Sequence, residues 1–465
     1  MLVKELLEKI GIASDNEKEV TGICFDSRKV KDGNIFVAYK GADSDGNDYI
    51  WDAFNNGAVC VVSDRLVGYD VYKSNNINLD KETMIREFYD FRKIKFIGIT
   101  GTNGKTSSAH LLYQALNYLG IRTTYVGTLG VIDNEYFQEL DNTTPDMDVL
   151  AREVEKAIDR KCKYIVMEVS SHSLSMNRIA PFYFDIVAFT NFTQDHLDYY
   201  QTMDEYFKAK KILFDRADEN CIGVVNSEDT SSFKLISDFK GRIVTYGHKG
   251  NYDYRILKNN LNGLKFKVDE NIIDTKLVYK TNLYNLLLVY TILSLLNYDK
   301  EDIKKALEDV SPIPGRMEIL KNKNKYVILD YAHTPDAVEK IVKETNKIKK
   351  GKVYVLFGCG GNRDKSKRAI MGKIASEYGD YIYLTNDNPR NEDEMVIIND
   401  ILTGITNPNI VIEKDRKKAI ETAIDNLKKG DILLVLGKGH EEYQIINNKK
   451  YHFSDKEIIL QCLEK

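Results

Sequence analysis

The run KFIGITGTNGKTSSAHLL, Lys95 to Leu112, carries an apolar strand pattern into Gly-Thr-Asn-Gly-Lys-Thr and then into helix-forming residues. Glycines there let backbone N–H groups close around phosphate oxygens, and a helix N-terminus adds a favourable dipole. Gly101, Thr102, Asn103 and Gly104 would form the loop. Lys105 suits the charge of β- and γ-phosphates, and the Thr106 hydroxyl suits Mg²⁺. The usual spacing, G-x-x-x-x-G-K-[ST], wants glycine at position 99, which is Ile99. The loop is therefore a shortened one. A strand–turn–helix corner with an ordinary lysine is the alternative.

Other chemistry-bearing residues follow apolar runs. YIVMEVSSHSL ends in Glu168, Ser170, Ser171 and His172, and FTNFTQDHLDYY carries Asp195, His196 and Asp198. Strand ends of an α/β domain share one crevice, and hard cations take oxygen ligands, so Glu168 with Thr106 suits Mg²⁺. His196 is a less usual ligand for that ion. Helix-capping or core polar groups would use the same residue types. MDEYFKAKKILFD places Lys208, Lys210 and Lys211 on a helix, ordinarily a solvated face. TNDNPRNED on its own reads as a charged turn.

The elements that must position these residues alternate strand and helix patterns through most of the chain. Residues 1–92 hold short strand runs (NIFVAY, AVCVVS) and a charged helical end. A second unit, 93–312, opens with the phosphate loop. SPIPGRME, with two prolines and a glycine, marks the next boundary, and 313–465 repeats strand, polar loop and helix. The expected fold is α/β in three domains. They are a mixed α/β N-terminal unit, a central P-loop ATPase-like parallel sheet and a C-terminal doubly wound Rossmann-like sheet with its sites at the carboxyl ends of strands.

Composition narrows the function class. With 465 residues, 43% hydrophobic and 29% charged, the chain reads as a multidomain globular protein. A net charge of −4 leaves no broad footprint for nucleic acid or anionic lipid, so anionic ligands must be held by local clusters. The six cysteines are scattered without a C-x-x-C pair, which fits a reducing compartment. No apolar run reaches membrane-spanning length, and the N-terminus lacks a signal-peptide core. A cytoplasmic monomer is the expectation.

TGTNGKT resembles the ATP loop of the Mur ligases and the related folylpolyglutamate synthases, enzymes that join a carboxylate to an amine using ATP. The resemblance covers nearly the whole chain. Family members have similar E-x-S-S and D-H-x-D segments whose Glu and His hold Mg²⁺, which implies Glu168 and His196 here. A similar Y-x-x-A-K-x-x-L-F segment carries a carbamylated lysine, which implies Lys210. That modification needs a neutral amine, hence a depressed pKa. YKTNLYNLLLVY resembles G-x-F-N-x-x-N without its Gly and Phe, and implies Asn282 beside adenine. GRME and DYAHTPD imply Arg316 at the phosphates, with Asp330 and His333 near the ribose.

The N-terminal GICFDSRKVKDGNIFVAYKG is similar to the UDP-binding region of the members that add the third residue of the peptidoglycan stem peptide. There Ser27 would contact the uridine part. DNTTPD resembles the loop for the sugar–peptide portion, which implies Thr143 and Thr144, with Ser170 and Arg178 holding acidic groups. D-N-P-R (Asp387, Asn388, Pro389, Arg390) resembles the signature of members that add meso-diaminopimelate. Arg390 can grip the second carboxylate, which lysine lacks, through two parallel bonds. Arg363 is a second carboxylate partner by resemblance, and Glu441, four residues after Gly437, would take the distal ammonium.

The implied reaction is ATP-dependent amide formation on UDP-N-acetylmuramoyl-L-Ala-D-Glu through an acyl phosphate, with ATP and Mg²⁺. The same ligase using lanthionine or L-lysine remains open at this point. So do a folylpolyglutamate-synthase-like ligase and a P-loop ATP switch without ligase chemistry.

Overall fold

A strand buried on both faces reads as an unbroken apolar run, and several such runs set this architecture. The computed structural model describes residues 1–41, 44–322 and 325–464. It divides into two compact units. One comprises residues 1–98, 121–187 and 216–221; the other comprises 99–120, 188–215 and 222–465.

In the first unit the N-terminal strands Gly22–Cys24, Asn34–Ala38, Cys60–Ser63 and Val71–Lys73 pair in parallel and in chain order. Helix Ile77–Phe88 belongs with them, capped by Asn76. Strand Tyr164–Glu168 pairs in parallel with Thr123–Gly127, which continues into the antiparallel strands Gly130–Asp133 and Tyr136–Gln138.

The second unit contains the helix that follows the phosphate loop, Lys105–Tyr118, and the parallel pair Ile222–Asn226 and Arg242–Tyr246. An antiparallel three-stranded sheet over residues 254–275 follows. Its first hairpin turns at Asn262-Gly263, a pair suited to a tight turn.

The C-terminal sheet has six strands in the order Glu318–Asn322, Lys325–Asp330, Ile432–Leu436, Val353–Phe357, Tyr381–Leu384 and Ile410–Ile412. Only the first pairing is antiparallel. The pleat sends alternate side chains to opposite faces. Ile432, Leu434 and Leu436 enter one core, with helices Pro335–Ile348, Ser366–Tyr378 and Glu394–Leu402. Leu433 and Val435 enter the other, with helices Arg416–Asn426 and Asp455–Glu464. This is the doubly wound sheet expected from the sequence.

Its carboxyl ends carry the unusual polar residues. Asp330 ends its strand, and Arg363, Asn388 and Lys438 lie in the loops after theirs. Arg416 ties two of those ends together from beneath. Its guanidinium, fully buried, donates to Asn386 O (3.1 Å), Leu436 O (3.0 Å) and the Asp455 carboxylate (2.7 and 2.8 Å). A buried charge is tolerable only when paired and fully hydrogen-bonded, so this pair fixes the spacing of the two loops above it.

Candidate active site

The loop Gly101–Gly104 bends where only glycine fits. Gly101 has φ +143° and a Cβ there would collide with Thr190 Oγ1; Gly104, φ +85°, leads directly into the helix beginning at Lys105. The loop is braced from one side. Asn191 Nδ2 and Thr190 Oγ1 donate to Asn103 O (2.9 and 2.6 Å), and Thr102 N donates to Asn191 O (2.8 Å). Asn103 Nδ2 donates to Asp336 Oδ2 (3.0 Å).

Two amines converge on this loop. Lys105 Nζ donates to the carbonyls of Gly101 and Thr102, both at 2.9 Å, and Lys210 Nζ donates to the same Gly101 carbonyl at 2.8 Å. Lys210 is 1% exposed, on helix Met203–Asp215, whereas the Lys208 side chain is 71% exposed. The three lysines are thus not one solvated face. Burial, and after it the neighbouring Lys105 ammonium, push the Lys210 amine well below its usual range. The pocket accordingly favours its neutral form.

Tyr206 sits under Lys210, whose Nζ lies 4.4 Å from the ring centroid, and its hydroxyl reaches Thr102 Oγ1 at 3.3 Å. The His196 ring meets the same tyrosine edge-on, and its Nε2 is 3.5 Å from Asp195 Oδ2. Burial opposes the Asp195 charge, but the imidazoles of His196 and His333 hold its pKa below the usual value. Arg316 Nη2 donates to Thr106 Oγ1 (3.3 Å), and its guanidinium lies 4.4 Å from the Tyr331 ring centroid. Asp330 uses both oxygens on backbone, accepting from Met317 N and Ala332 N at 2.7 Å each. His333 Nδ1 lies 2.8 Å from Tyr331 O.

Asn282 donates to Val278 O (2.9 Å) and accepts from Asn285 (3.2 Å), whose Oδ1 in turn accepts from Ser108 Oγ (3.1 Å), on the helix after the loop. Three residues before Asn282, where the family pattern has glycine, stands Tyr279 at φ +73°. The backbone bend has survived without the residue that normally permits it, and the Tyr279 hydroxyl is anchored on Thr345 Oγ1 at 2.9 Å.

In the first unit, Glu168 ends its strand with no exposure. Its Oε1 accepts from Tyr125 OH (2.5 Å) and Thr128 N (2.8 Å), its Oε2 from Thr128 Oγ1 (3.3 Å). The threonine loop meets the same place. Thr143 Oγ1 lies 3.1 Å from Thr128 Oγ1, and Thr144 Oγ1 donates to Glu168 O (2.8 Å) while accepting from Ser170 N (3.1 Å). Arg178 donates to Thr144 O (3.1 Å) and pairs with Asp146 (2.8 Å). Thr143, Thr144, Glu168, Ser170 and Arg178 therefore form one cluster. Ser27 is buried within the turn in which its neighbours, Asp26 and the exposed Arg28, pair at 2.9 Å.

At the C-terminal sheet, Arg390 adopts φ +55°, held by Arg390 N to Ile445 O (3.0 Å) and Asn447 N to Arg390 O (2.7 Å). Its guanidinium donates to Gly361 O (2.9 Å) and Asn388 O (3.4 Å), and no carboxylate pairs with it among the described residues. Gly361 has to be glycine because a Cβ would strike Pro389 O, and at Gly437 a Cβ would press on Asp387. Asn388 joins Glu441 Oε2 (3.0 Å), which also takes the fully buried Lys438 ammonium (3.1 Å). Glu441 Oε1 has no hydrogen-bond partner among the described residues. Arg363 is exposed, with Asp198 4.0 Å away.

Sequence reasoning had passed over Tyr125, Tyr206 and Asp336. Each looked like an ordinary strand or helix residue, and only the tertiary structure turns it toward the loop or toward Glu168. Lys438, also without a role in the sequence reading, donates to Asn388 Oδ1 (3.2 Å) and Glu441 Oε2 (3.1 Å).

Comparison with known proteins decides the family. Residues 99–293 match the Mur ligase middle domain, 315–439 the Mur ligase glutamate ligase domain, and 19–88 the Mur ligase family catalytic domain. The chain belongs to the Mur ligase family. This Mur ligase is 39% identical to the UDP-N-acetylmuramoyl-L-alanyl-D-glutamate–2,6-diaminopimelate ligase of Aquifex aeolicus, over 96% of this chain and 94% of the relative. The enzyme of the same name from Clostridium botulinum is 38% identical, over 97% and 96%. A solved structure of such a diaminopimelate ligase superposes with a TM-score of 0.70 at 26% identity, covering 100% of this chain and 99% of that one. MurF from Thermotoga maritima in complex with ADP (TM-score 0.68, 17% identity, 95% and 97% covered) shares the fold. Mur ligases are ATP-dependent, ADP-forming enzymes, and this chain is one of them. Among the described residues no helix is long and apolar enough to cross a membrane.

Proposed function

We propose that this Mur ligase adds meso-diaminopimelate to the γ-carboxylate of D-Glu in UDP-N-acetylmuramoyl-L-Ala-D-Glu, a step in peptidoglycan precursor synthesis. The observation that carries the choice of amine is Arg390, a half-buried guanidinium whose only partners among the described residues are backbone carbonyls. The near full-length relatives named for this reaction support the same choice.

A carboxylate oxygen is a poor leaving group, so the carboxylate must first be activated. Gly101–Gly104 cradle the ATP phosphates, and Lys105 swings from the Gly101 and Thr102 carbonyls onto the γ-phosphate, where charge builds up during transfer. Arg316, already at Thr106, faces the same phosphates. Transfer of the γ-phosphoryl group to the D-Glu carboxylate gives ADP and an acyl phosphate. The neutral amine of the incoming amino acid then attacks the acyl carbon, and the tetrahedral intermediate collapses to amide and phosphate. Asn282 lies against adenine, with Asp330 and His333 toward the ribose.

Thr143, Thr144, Ser170 and Arg178 hold the sugar–peptide, and Ser27 the uridine end. Arg390 and Arg363 grip the distal carboxylate of the amino acid. Asn388 orients Glu441, whose Oε1 takes the distal ammonium. Asp387, Pro389 and Gly437 shape that pocket. The catalysis asked of the protein is mainly positioning and electrostatics.

By resemblance, the Thr106 hydroxyl, the Glu168 carboxylate and His196 would hold Mg²⁺, and the two oxygen donors are of the type that ion prefers. Lys210 fits this set as a carbamate, since its buried amine is disposed to be neutral and the modified side chain is an anion. Mg²⁺ bound there would neutralise phosphate charge. Labelling with ¹³C-bicarbonate should give a carbamate resonance in the wild type and none in Lys210→Met; a wild-type enzyme that turns over without that signal would remove Lys210 from the metal set. A monomer in the cytoplasm completes the reading, in keeping with six free cysteines.

The deciding experiment measures ADP release with the UDP-muramoyl dipeptide and one amine at a time. Turnover with meso-diaminopimelate but not with L-lysine is expected. Turnover with lysine alone would discard the Arg390 specificity, and preference for lanthionine would change the substrate while keeping the site.

A further inference from the structure

Lys81 is a buried ammonium that the proposed reaction has not used. It lies on the inward face of helix Ile77–Phe88 and is 8% exposed. Its Nζ stands 3.7 Å from the centroid of the Tyr39 ring and 5.6 Å from that of Phe25. Among the described residues nothing accepts a hydrogen bond from it. Asp146 and Asp148 act on it through space, but each is already engaged. Asp146 pairs with Arg178 (2.8 Å), and Asp148 with Arg152 (3.1 Å) and Phe25 N (3.2 Å). Two ring faces offset only part of the desolvation of such a charge. A cation with no acceptor in contact among the described residues is a ready partner for an anionic ligand.

Its place identifies the anion. Phe25 is two residues from Ser27, and Asp146 is two residues from Thr144, whose carbonyl is held by Arg178. Under the proposed function Ser27 faces the uridine part and Thr143 with Thr144 the sugar–peptide part. The group that joins nucleoside to sugar is the diphosphate. Tyr39 adds a second donor, because burial, with Asp146 and Asp148 nearby, pushes its hydroxyl up to about 12 and keeps it protonated.

We infer that Lys81, resting on the Tyr39 ring, binds the diphosphate of the nucleotide substrate. The inference depends on the UDP-linked substrate proposed above. It makes Lys81 a substrate-binding residue that contributes nothing to ATP or amino-acid recognition.

The test compares wild type with Lys81→Met, which keeps the length and apolar body of the side chain, and Lys81→Arg, which keeps its charge. Binding is measured calorimetrically with UDP-N-acetylmuramoyl-L-Ala-D-Glu, UDP and uridine. In Lys81→Met both diphosphate ligands should bind on the order of tenfold to a hundredfold more weakly, as for loss of a charge-assisted contact, with uridine unchanged. The KM for the nucleotide substrate should rise in step, with those for ATP and amino acid unchanged, and Lys81→Arg should recover part of the loss. The melting temperature without ligand should hold or rise, since a buried unpaired charge has gone.

Equal affinity of wild type and Lys81→Met for UDP would overturn the assignment. So would an equal loss for uridine, or a fall in melting temperature with a rise in every KM, which would make Lys81 a structural residue. If wild type bound no uridine nucleotide at all, the proposed substrate itself would fail and this inference with it. That result is distinct from failure at Lys81 alone.

Discussion

Lys105→Ala is expected to lower kcat by about three orders of magnitude while leaving the affinity for the UDP-linked substrate within about twofold. Lys105 is parked on the Gly101 and Thr102 carbonyls, so its ammonium stands at the rim of the glycine cradle before any phosphate arrives. In phosphoryl transfer charge spreads over the equatorial oxygens as the bond to the leaving group loosens, and a cation at that point is worth most in the transition state. Removing one preorganised donor of this kind typically costs a hundredfold to a thousandfold.

The fold should survive, because the glycine bend and the braces from Thr190 and Asn191 remain when the lysine leaves the loop carbonyls. Lys210 is also relieved of a like charge, so its amine should titrate somewhat higher than in the wild type. A single-turnover experiment that traps the acyl phosphate separates the steps: the variant should bind both substrates and form almost none. A kcat within tenfold of wild type would remove Lys105 from the transfer step.

How much of this was legible from residue order depended on whether the information was local. The parallel sheets were, because ILLVL and VYVLF are runs that only a strand covered on both faces needs. The positions of Asp330 and Asn388 were legible for the same reason, since one ends such a run and the other lies in the loop after one. The antiparallel sheet over residues 254–275 was legible only in part: Leu264, Phe266 and Val268 alternate with Lys265 and Lys267, whereas the first strand, Tyr254–Asn260, is largely exposed and carries no such pattern.

Lys210 shows the limit most clearly. Three lysines within four residues of one helix look alike in sequence, and only tertiary packing puts Lys210 beneath the loop and leaves Lys208 in water. The family resemblance singled it out, and the burial supplies the physical reason. Tyr279 is the reverse case: the missing glycine suggested a lost motif, yet the backbone keeps a left-handed φ there. The Arg416–Asp455 pair could not be read at all, because its 39-residue separation carries no periodic signal.

Arg390→Ala is expected to raise the KM for meso-diaminopimelate about a hundredfold and to leave that for ATP nearly unchanged. Arg390 occupies a left-handed backbone conformation that a non-glycine residue adopts at a cost of about 1–2 kcal/mol, and four backbone hydrogen-bonding groups around it enforce that geometry. The constraint aims a guanidinium whose hydrogen-bond partners among the described residues, Gly361 O and Asn388 O, are neutral acceptors, with Asp387 and Glu441 acting on it only through space. Burial and the nearby Arg363 lower its pKa below the ordinary arginine value. A carboxylate with two parallel oxygens completes this arrangement, whereas the aliphatic end of L-lysine offers none and leaves the desolvated guanidinium unmatched.

Charge-assisted bonds of this kind are each worth about 1.5–3 kcal/mol, so losing the pair accounts for the expected factor. Arg390→Lys keeps a charge but loses the planar fork, and should fall between wild type and Arg390→Ala. The discrimination should also invert in part: relative to diaminopimelate, L-lysine becomes a better substrate for Arg390→Ala than for wild type, because the penalty it incurred has been removed. An equal rise in KM for ATP and diaminopimelate would mean that Arg390 holds the C-terminal fold together, and the specificity would then have to lie with Arg363 and Glu441.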